Sequence, residues 1–352
     1  MSGKSFAMYV GSYSPAAEAG IHLFRMDGET GALERIGGSA GVENPAFLAV
    51  TGEGKLVFSV SETFNGAVAS FRVEEDGSLH ELSRQPSHGD HPCYAMVDAT
   101  GRWLLLVNYS SGNVLVYPID DHGRIGPHSE QVRHVGRSVD ENRQKSPHPH
   151  SIYPVPESDL WLVADLGTDA IYAYRLDAER GTLTPTGQAK AAPGAGPRHI
   201  AVHPKQPFVY VADEMSSTVS AYALNRADGT LAHLQTISAL PHDVAGNTCA
   251  EIAISHDGTR VYASNRGHDS IVTYRVGDDG RLELLCHTPS GGKTPRHFAL
   301  TPDGRFLVVA NQDSDSLAVF RLNEDGVPVP TGTSARVTQP SCVKFAAVPV
   351  RA

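Results

Sequence analysis

Ionisable side chains gather in four short phrases of this chain: HPH at 148–150, PRH at 197–199, AEI around Glu251 and PRH at 295–297. They supply His148, His150, Arg198, His199, Glu251, Arg296 and His297, while the phrases ADEMSST and SNRGH add Glu214 and Arg266. Histidine and glutamate are the usual side chains for moving a proton near neutral pH. Arginine keeps its charge throughout that range, and its planar fork grips phosphate or carboxylate through two bonds. Together these residue types suit acid–base chemistry on a small anionic molecule. His148 and His150, two apart in an extended segment, project to one side and could hold a metal. Zinc catalysis usually takes three protein ligands plus water, and no spacing here demands a third, so neither a metal nor another cofactor is expected.

The elements that must carry these residues repeat. Seven times the chain writes an alternating apolar segment whose fourth residue is aromatic: Phe24, Phe71, Tyr117, Tyr174, Tyr222, Tyr274 and Phe320. Their spacings run from 46 to 57 residues. A period of that size with period-2 alternation inside each copy predicts an all-β, seven-bladed β-propeller of four-stranded antiparallel sheets. Turns such as DATGR, TPDGR, GDDG and NEDG supply the Gly and acidic residues of tight hairpins. The chain starts at a second strand (FAMYVGSY) and ends with a first strand (PSCVKFAAV), so the last strand should join the N-terminal blade and close the ring. One domain spanning residues 1–352 is expected, because such folds grow by adding blades.

Because each position recurs seven times, departures stand out without an alignment. First strands are placed near Phe47, Tyr94, His150, His199, Glu251, His297 and Cys342. Two residues earlier, Pro fills five of the seven copies, with His148 and Cys249 breaking the pattern. The loops after second strands put Glu214 and Arg266 at equivalent places, with Leu166 and Gln312 as counterparts. Loops into first strands and out of second strands open on one face of the disc, so these groups should converge on one sector of the channel mouth. The longest spacing, 57 residues, holds the insertion IGPHSEQVRHVGRSVDENRQKSPHPH, read as a solvated loop or a lid.

A net charge of −10 argues against a nucleic-acid surface, and the absence of a long apolar run argues against a membrane span. With no signal-like start, a cytoplasmic protein is expected. Cys93, Cys249, Cys286 and Cys342 form no CxxC pair; those beside strand starts read as small packing residues, not nucleophiles. GxSxG, P-loop and dinucleotide-binding fingerprints are missing.

The segments YVGSY, NPAFLAV, HPHS with VADLGTDAIYAY, GPRHIAVHP, ADEMSSTVSAY, AEIAIS, ASNRGHDSI and TPRHFAL with VVANQDSDSLAVF make the chain similar to the lactonase family of seven-bladed β-propellers, from about residue 8 to 346. The resemblance implies hydrolysis of a sugar lactone, foremost 6-phosphogluconolactone, with a carboxymuconate-type cycloisomerase or a non-catalytic platform as alternatives. It also implies a catalytic set of His148 (with His150 close by), Arg198, Glu214 and Arg266. Glu214 or an HPH histidine would activate water, the arginines would hold the anionic group and oxyanion, and His199, Glu251, Arg296 and His297 would line the substrate's place. The chain departs from the family pattern at Tyr94, often His there, and at His297, often Asn.

Overall fold

The computed structural model describes residues 5–51 and 54–350. They form seven four-stranded antiparallel sheets arranged as the blades of a propeller. Blade 1 takes its inner strand from the far end of the chain: Pro340–Val350 pairs with Ser5–Ser12, followed outward by Ile21–Asp27 and Leu33–Ser39. The predicted closure is therefore present, with Val10 opposite Val343 and Gly11 opposite Cys342. Blades 2 to 7 follow in chain order, each running from the channel to the rim. Among the described residues no helix is long and apolar enough to cross a membrane.

The repeated aromatic explains how blades hold together. All seven are buried on the third strand, where each ring fills the space against a neighbouring sheet. Two of the tyrosines also tie their hydroxyls to the neighbouring sheet: Tyr117 donates to the Pro86 carbonyl at 2.8 Å and Tyr274 to that of Ser238 at 2.7 Å, both at the end of the preceding blade. In six blades the pairing of third with fourth strand slips at this aromatic, a bulge that turns the outer strand. Outer strands mix exposed and half-buried residues while second strands are almost wholly buried, so the apolar pattern grades from channel to rim. Hairpin glycines carry geometry that other residues cannot: Gly280 has φ +78°, and a Cβ there would meet the Phe208 ring at 2.4 Å.

A second bulge positions the site. In six of the seven blades the register slips near the start of the inner strand, as between Pro197 and His199 or Pro295 and His297. Arg198 and Arg296 are the residues left over, and the kink re-aims them. This register corrects the sequence reading of blade 4. Pro149 pairs with Asp165 as Pro197 pairs with Asp213, so Pro149 fills the proline place that His148 seemed to break. His150 is then the counterpart of Arg198, and Ser151, not His150, that of His199.

Candidate active site

Three stacked rings of seven residues follow from that register. The deepest comprises Phe47, Tyr94, Ser151, His199, Glu251, His297 and Cys342, all buried. Phe47 and Tyr94 stack with ring centroids 4.1 Å apart, and His199 and His297 meet Phe47 edge-on at 6.2 and 5.7 Å. Glu251 joins the two histidines, its Oε2 lying 3.0 Å from His199 Nδ1 and 2.9 Å from His297 Nε2. The Val343 amide donates to His297 Nδ1 at 3.3 Å, so in the neutral ring Nε2 is the protonated nitrogen. Burial, aided by Arg198, depresses His199 to about 3, and burial likewise lowers His297, so both are neutral imidazoles. Glu251 stays ionised well below the usual carboxylate range, because His297 and His199 outweigh the effect of its burial. This layer fills the channel.

Above it lie Ala46, Cys93, His150, Arg198, Ala250, Arg296 and Ser341, of which six border a small polar cavity of about 10 Å³ together with Tyr13, Glu62, Phe47, His199 and His297. That volume is of the order of one water. Burial and then Arg198 push His150 well below its ordinary pKa, so it too is neutral. Cys93, Cys249 and Cys342 are buried with thiols pushed up by burial, Cys342 to about 11, which fits packing and not nucleophilic use.

The mouth ring comprises Tyr13, Glu62, Tyr109, Leu166, Glu214, Arg266 and Gln312, six of them directly following a second strand and Arg266 closing its own, Arg260–Arg266. Glu214 is its hub. Its Oε2 lies 3.0 Å from Arg198 Nε and 2.9 Å from Arg266 Nη2, and its Oε1 lies 2.7 Å from Arg143 Nη2. Arg198 also donates from Nη1 to the Ala250 carbonyl at 2.9 Å, and Arg266 to that of Cys249 at 3.0 Å. Burial alone would raise the Glu214 pKa, but Arg266, Arg198 and Arg143 outweigh it and bring it to about 2. Arg198 falls to about 10 through burial and the nearby Arg266 and Arg296, and remains a cation at neutral pH. On the opposite side Arg296 donates to Tyr13 at 2.7 Å, and Tyr13 donates to Glu62 at 2.8 Å.

His148 sits beside this hub. Its ring stacks on Tyr109 at 4.5 Å, its Nδ1 donates to the Tyr109 carbonyl at 2.8 Å, and the Tyr109 hydroxyl accepts from Arg143 at 3.2 Å. His150 meets the same tyrosine edge-on at 5.5 Å. Among the described residues no three His, Cys, Asp or Glu side chains gather so that they could hold a metal ion.

The structure thus brings together His148, Arg198, Glu214 and Arg266, with His150, His199, Glu251, Arg296 and His297 beneath or beside them. Sequence reasoning missed Tyr13, Glu62, Tyr109 and Arg143. The first three stand at the loop position of Glu214 in the first three copies, so extending the same internal comparison finds them. Arg143 has no counterpart, because it lies in the insertion. That insertion is pinned on both sides of it. His134 Nδ1 meets Asp165 at 2.6 Å, and buried Gln144 donates to the Leu166 carbonyl and to Asp169, both at 2.8 Å.

The residue before Glu214 carries its own consequence. Asp213 is buried; its Oδ2 accepts from Ser220 at 2.6 Å and Thr218 at 3.1 Å, while its Oδ1 has no partner. At the equivalent place Asn108, Asn265 and Asn311 each donate to a carbonyl just beyond the preceding blade, those of Ser87, Ala239 and Ser290. Burial raises Asp213 to about 7, the two hydroxyls opposing it and Asp169 adding to it. An acid with a higher pKa folded than unfolded keeps a proton that the unfolded chain has shed. Its contribution to stability is complete below about pH 4 and is lost as the pH rises to about 7. Asp213→Asn supplies the donor permanently, so its Tm should exceed that of the wild type at about pH 8 and converge with it near pH 4; an equal Tm difference at both values would refute the assignment.

Comparison with known proteins agrees with this architecture. The chain matches the family model "Lactonase, 7-bladed beta-propeller" over residues 7–345. It is 35% identical over 292 residues to a 6-phosphogluconolactonase of Bacillus subtilis, covering 82% of this chain and 83% of that protein. A 6-phosphogluconolactonase of Formosa agariphila is 33% identical over 301 residues, covering 82% and 85%. Among solved structures, a periplasmic gluconolactonase of Pseudomonas aeruginosa superposes with a TM-score of 0.89 at 31% identity, covering 98% of this chain and 100% of that one. With the family model spanning nearly the whole propeller, the chain belongs to the lactonase family of seven-bladed β-propellers and is a lactone hydrolase.

Proposed function

We propose that this lactonase hydrolyses a phosphorylated sugar lactone, foremost 6-phosphogluconolactone, by attack of water at the channel mouth. The observation that carries this reading is the convergence of Arg143, Arg198 and Arg266 on one carboxylate, with Arg296 close enough to affect the charge of two of them. Four guanidinium groups face only two mouth carboxylates, Glu214 and Glu62, which leaves an excess of positive charge suited to a phosphate dianion. The names of the relatives divide between phosphorylated and unphosphorylated lactones, and this excess favours the former.

Depressed to about 2, Glu214 is a poor base at neutral pH; its part is to orient the arginines. His148 suits the base better. With Nδ1 donating to a carbonyl, the neutral ring carries its lone pair on Nε2, and the side chain is only half-buried. His148 Nε2 takes a proton from water as the water oxygen bonds to the lactone carbonyl carbon. Arg198 and Arg266 stabilise the oxyanion. Collapse breaks the bond to the ring oxygen, which receives the proton back from His148. A cytoplasmic location accords with four free thiols, since a reducing compartment keeps them so.

The test is lactone hydrolysis by the purified protein, corrected for spontaneous opening. 6-Phosphogluconolactone is expected to give kcat/KM at least about tenfold above that for unphosphorylated gluconolactone, the factor that about 1.4 kcal/mol of phosphate recognition provides. Equal or reversed values would overturn the substrate assignment.

A further inference from the structure

The three arginines around Glu214 are not equivalent. Arg198 and Arg266 both address Oε2, both are tied to backbone carbonyls, and their side chains are only 3% and 15% exposed. Arg143 alone holds Oε1, and its side chain is 44% exposed. A single nitrogen, Nη2, makes both of its bonds, to Glu214 and to the Tyr109 hydroxyl. Nη1 and Nε make no hydrogen bond among the described residues; because both two-pronged edges of a guanidinium, Nε with Nη2 and Nη1 with Nη2, include Nη2, an anion gains a two-point grip only when Nη2 lets go of Glu214. Two fixed cations and one that is half in solvent therefore share one carboxylate.

The surrounding chain sets what can move. Gln144, next in sequence, is fully buried, and its amide holds Asp169 and the Leu166 carbonyl while its carbonyl oxygen accepts from the Asp140 amide at 3.1 Å. Ser138 adds a 2.5 Å bond to the other oxygen of Asp169. The backbone on the C-terminal side of Arg143 is thus anchored, while the long side chain retains its rotatable bonds. An ion pair half in water is weakly held and readily exchanged for another anion, particularly one that accepts two bonds at once.

We propose that Arg143 is a displaceable gate and specificity determinant: it caps Oε1 of Glu214 at rest, and the anionic group of the substrate draws it away, so that the mouth opens to anionic lactones and stays capped against neutral ones. This rests on the lactone hydrolysis proposed above. The ligand chemistry is a phosphate or carboxylate borne by a sugar acid or its lactone. As Nη2 leaves Glu214 the anion takes a fork of Arg143 that includes it, and Oε1 of Glu214 becomes free to accept from a substrate hydroxyl. The insertion is then a pinned arm that presents one mobile cation.

The variants are Arg143→Gln and Arg143→Lys, assayed on 6-phosphogluconolactone and on gluconolactone, with calorimetric titration of 6-phosphogluconate and gluconate as a readout independent of turnover. For Arg143→Gln, KM for the phosphorylated lactone should rise at least tenfold and kcat/KM for the neutral lactone should rise several-fold, collapsing the preference. Arg143→Lys, which keeps the charge but loses the fork, should fall between. Affinity for 6-phosphogluconate should drop at least tenfold in Arg143→Gln, with that for gluconate changed less. Unchanged preference and unchanged 6-phosphogluconate affinity in a folded variant would overturn the gate. If the wild type turns over neither lactone yet binds 6-phosphogluconate through Arg143, the gate stands and the catalytic reading fails; if it binds neither acid, both fail.

Discussion

Replacing Arg198 by alanine is expected to lower kcat/KM by at least about a hundredfold, and Glu214→Gln should do the same through a different route. Arg198 is the most buried cation of the mouth, fixed by Glu214 and by the Ala250 carbonyl, so its charge stands in place before substrate arrives. Removal of one such preorganised oxyanion donor costs about 3 kcal/mol of barrier. In Glu214→Gln the arginines remain but lose the charge that gathers them, and three mutually repelling cations then spread. Stability separates the two variants. Leaving a buried charge without its partner costs roughly 3–5 kcal/mol, yet in Arg198→Ala the Glu214 carboxylate still keeps Arg143 and Arg266. Arg198→Ala should therefore melt closer to the wild type than Glu214→Gln does. The ionised Glu214 adds stability at neutral pH that disappears as the pH falls from the ordinary carboxylate range to about 2, and this acid limb should be missing in Glu214→Gln. Steady-state kinetics with thermal melts at about pH 3 and pH 7 check both; near-normal turnover in both variants would remove these residues from the mechanism.

Truncation before Pro340 should abolish cooperative folding. The strand Pro340–Val350 is the inner strand of blade 1, and without it Ser5–Ser12 becomes an open edge facing the channel. The deletion also exposes Met8 and Val10 and removes Cys342, Val343 and Ala346, all buried. At about 1.5–3 kcal/mol for each large apolar side chain, the loss approaches the whole 5–15 kcal/mol stability of an ordinary domain. The same strand reaches both neighbours. Ser341 donates to the Ala46 carbonyl at 2.9 Å in blade 2, and the Val343 amide reaches His297 in blade 7. The truncated chain is expected to aggregate or to show no melting transition by circular dichroism; a soluble form with the parental Tm would show that the ring does not need its closing strand.

The repeated aromatic phrase made the propeller and its closure legible, because the same buried aromatic recurs at a near-constant spacing in every copy. The site was legible where a charged residue departs from its counterparts in other copies, as at Arg198, Glu251, Arg266 and Arg296. It was misread by one residue in blade 4. HPH offers histidines on both sides of a proline, and only the pairing of Pro149 with Asp165 decides which one takes the place of Arg198. A bulge adds a residue without leaving a mark in the hydrophobic alternation. Tyr13 and Tyr109 were passed over because an aromatic beside an apolar strand reads as core until its hydroxyl is seen with Arg296 or Arg143. Arg143 was out of reach for a simpler reason. An insertion has no sister copies, and its meeting with Glu214, 71 positions away in sequence, is decided by Gln144 and His134 packing onto blade 4.

The stacked Phe47 and Tyr94 rings, capped by the Lys344 ammonium 4.4 Å above Phe47 and joined to the His199–Glu251–His297 bridge, turn the propeller's axis into a blind well. Traffic is therefore one-way in geometry and two-way in chemistry: what enters by the mouth must leave by it. Hydrolysis adds a carboxylate to whatever anionic group the lactone already carries, so the departing molecule is more negative than the arriving one. On the function proposed above it leaves past the same arginines that are proposed to bind the lactone, so product departure, and not ring opening, is the expected brake on turnover.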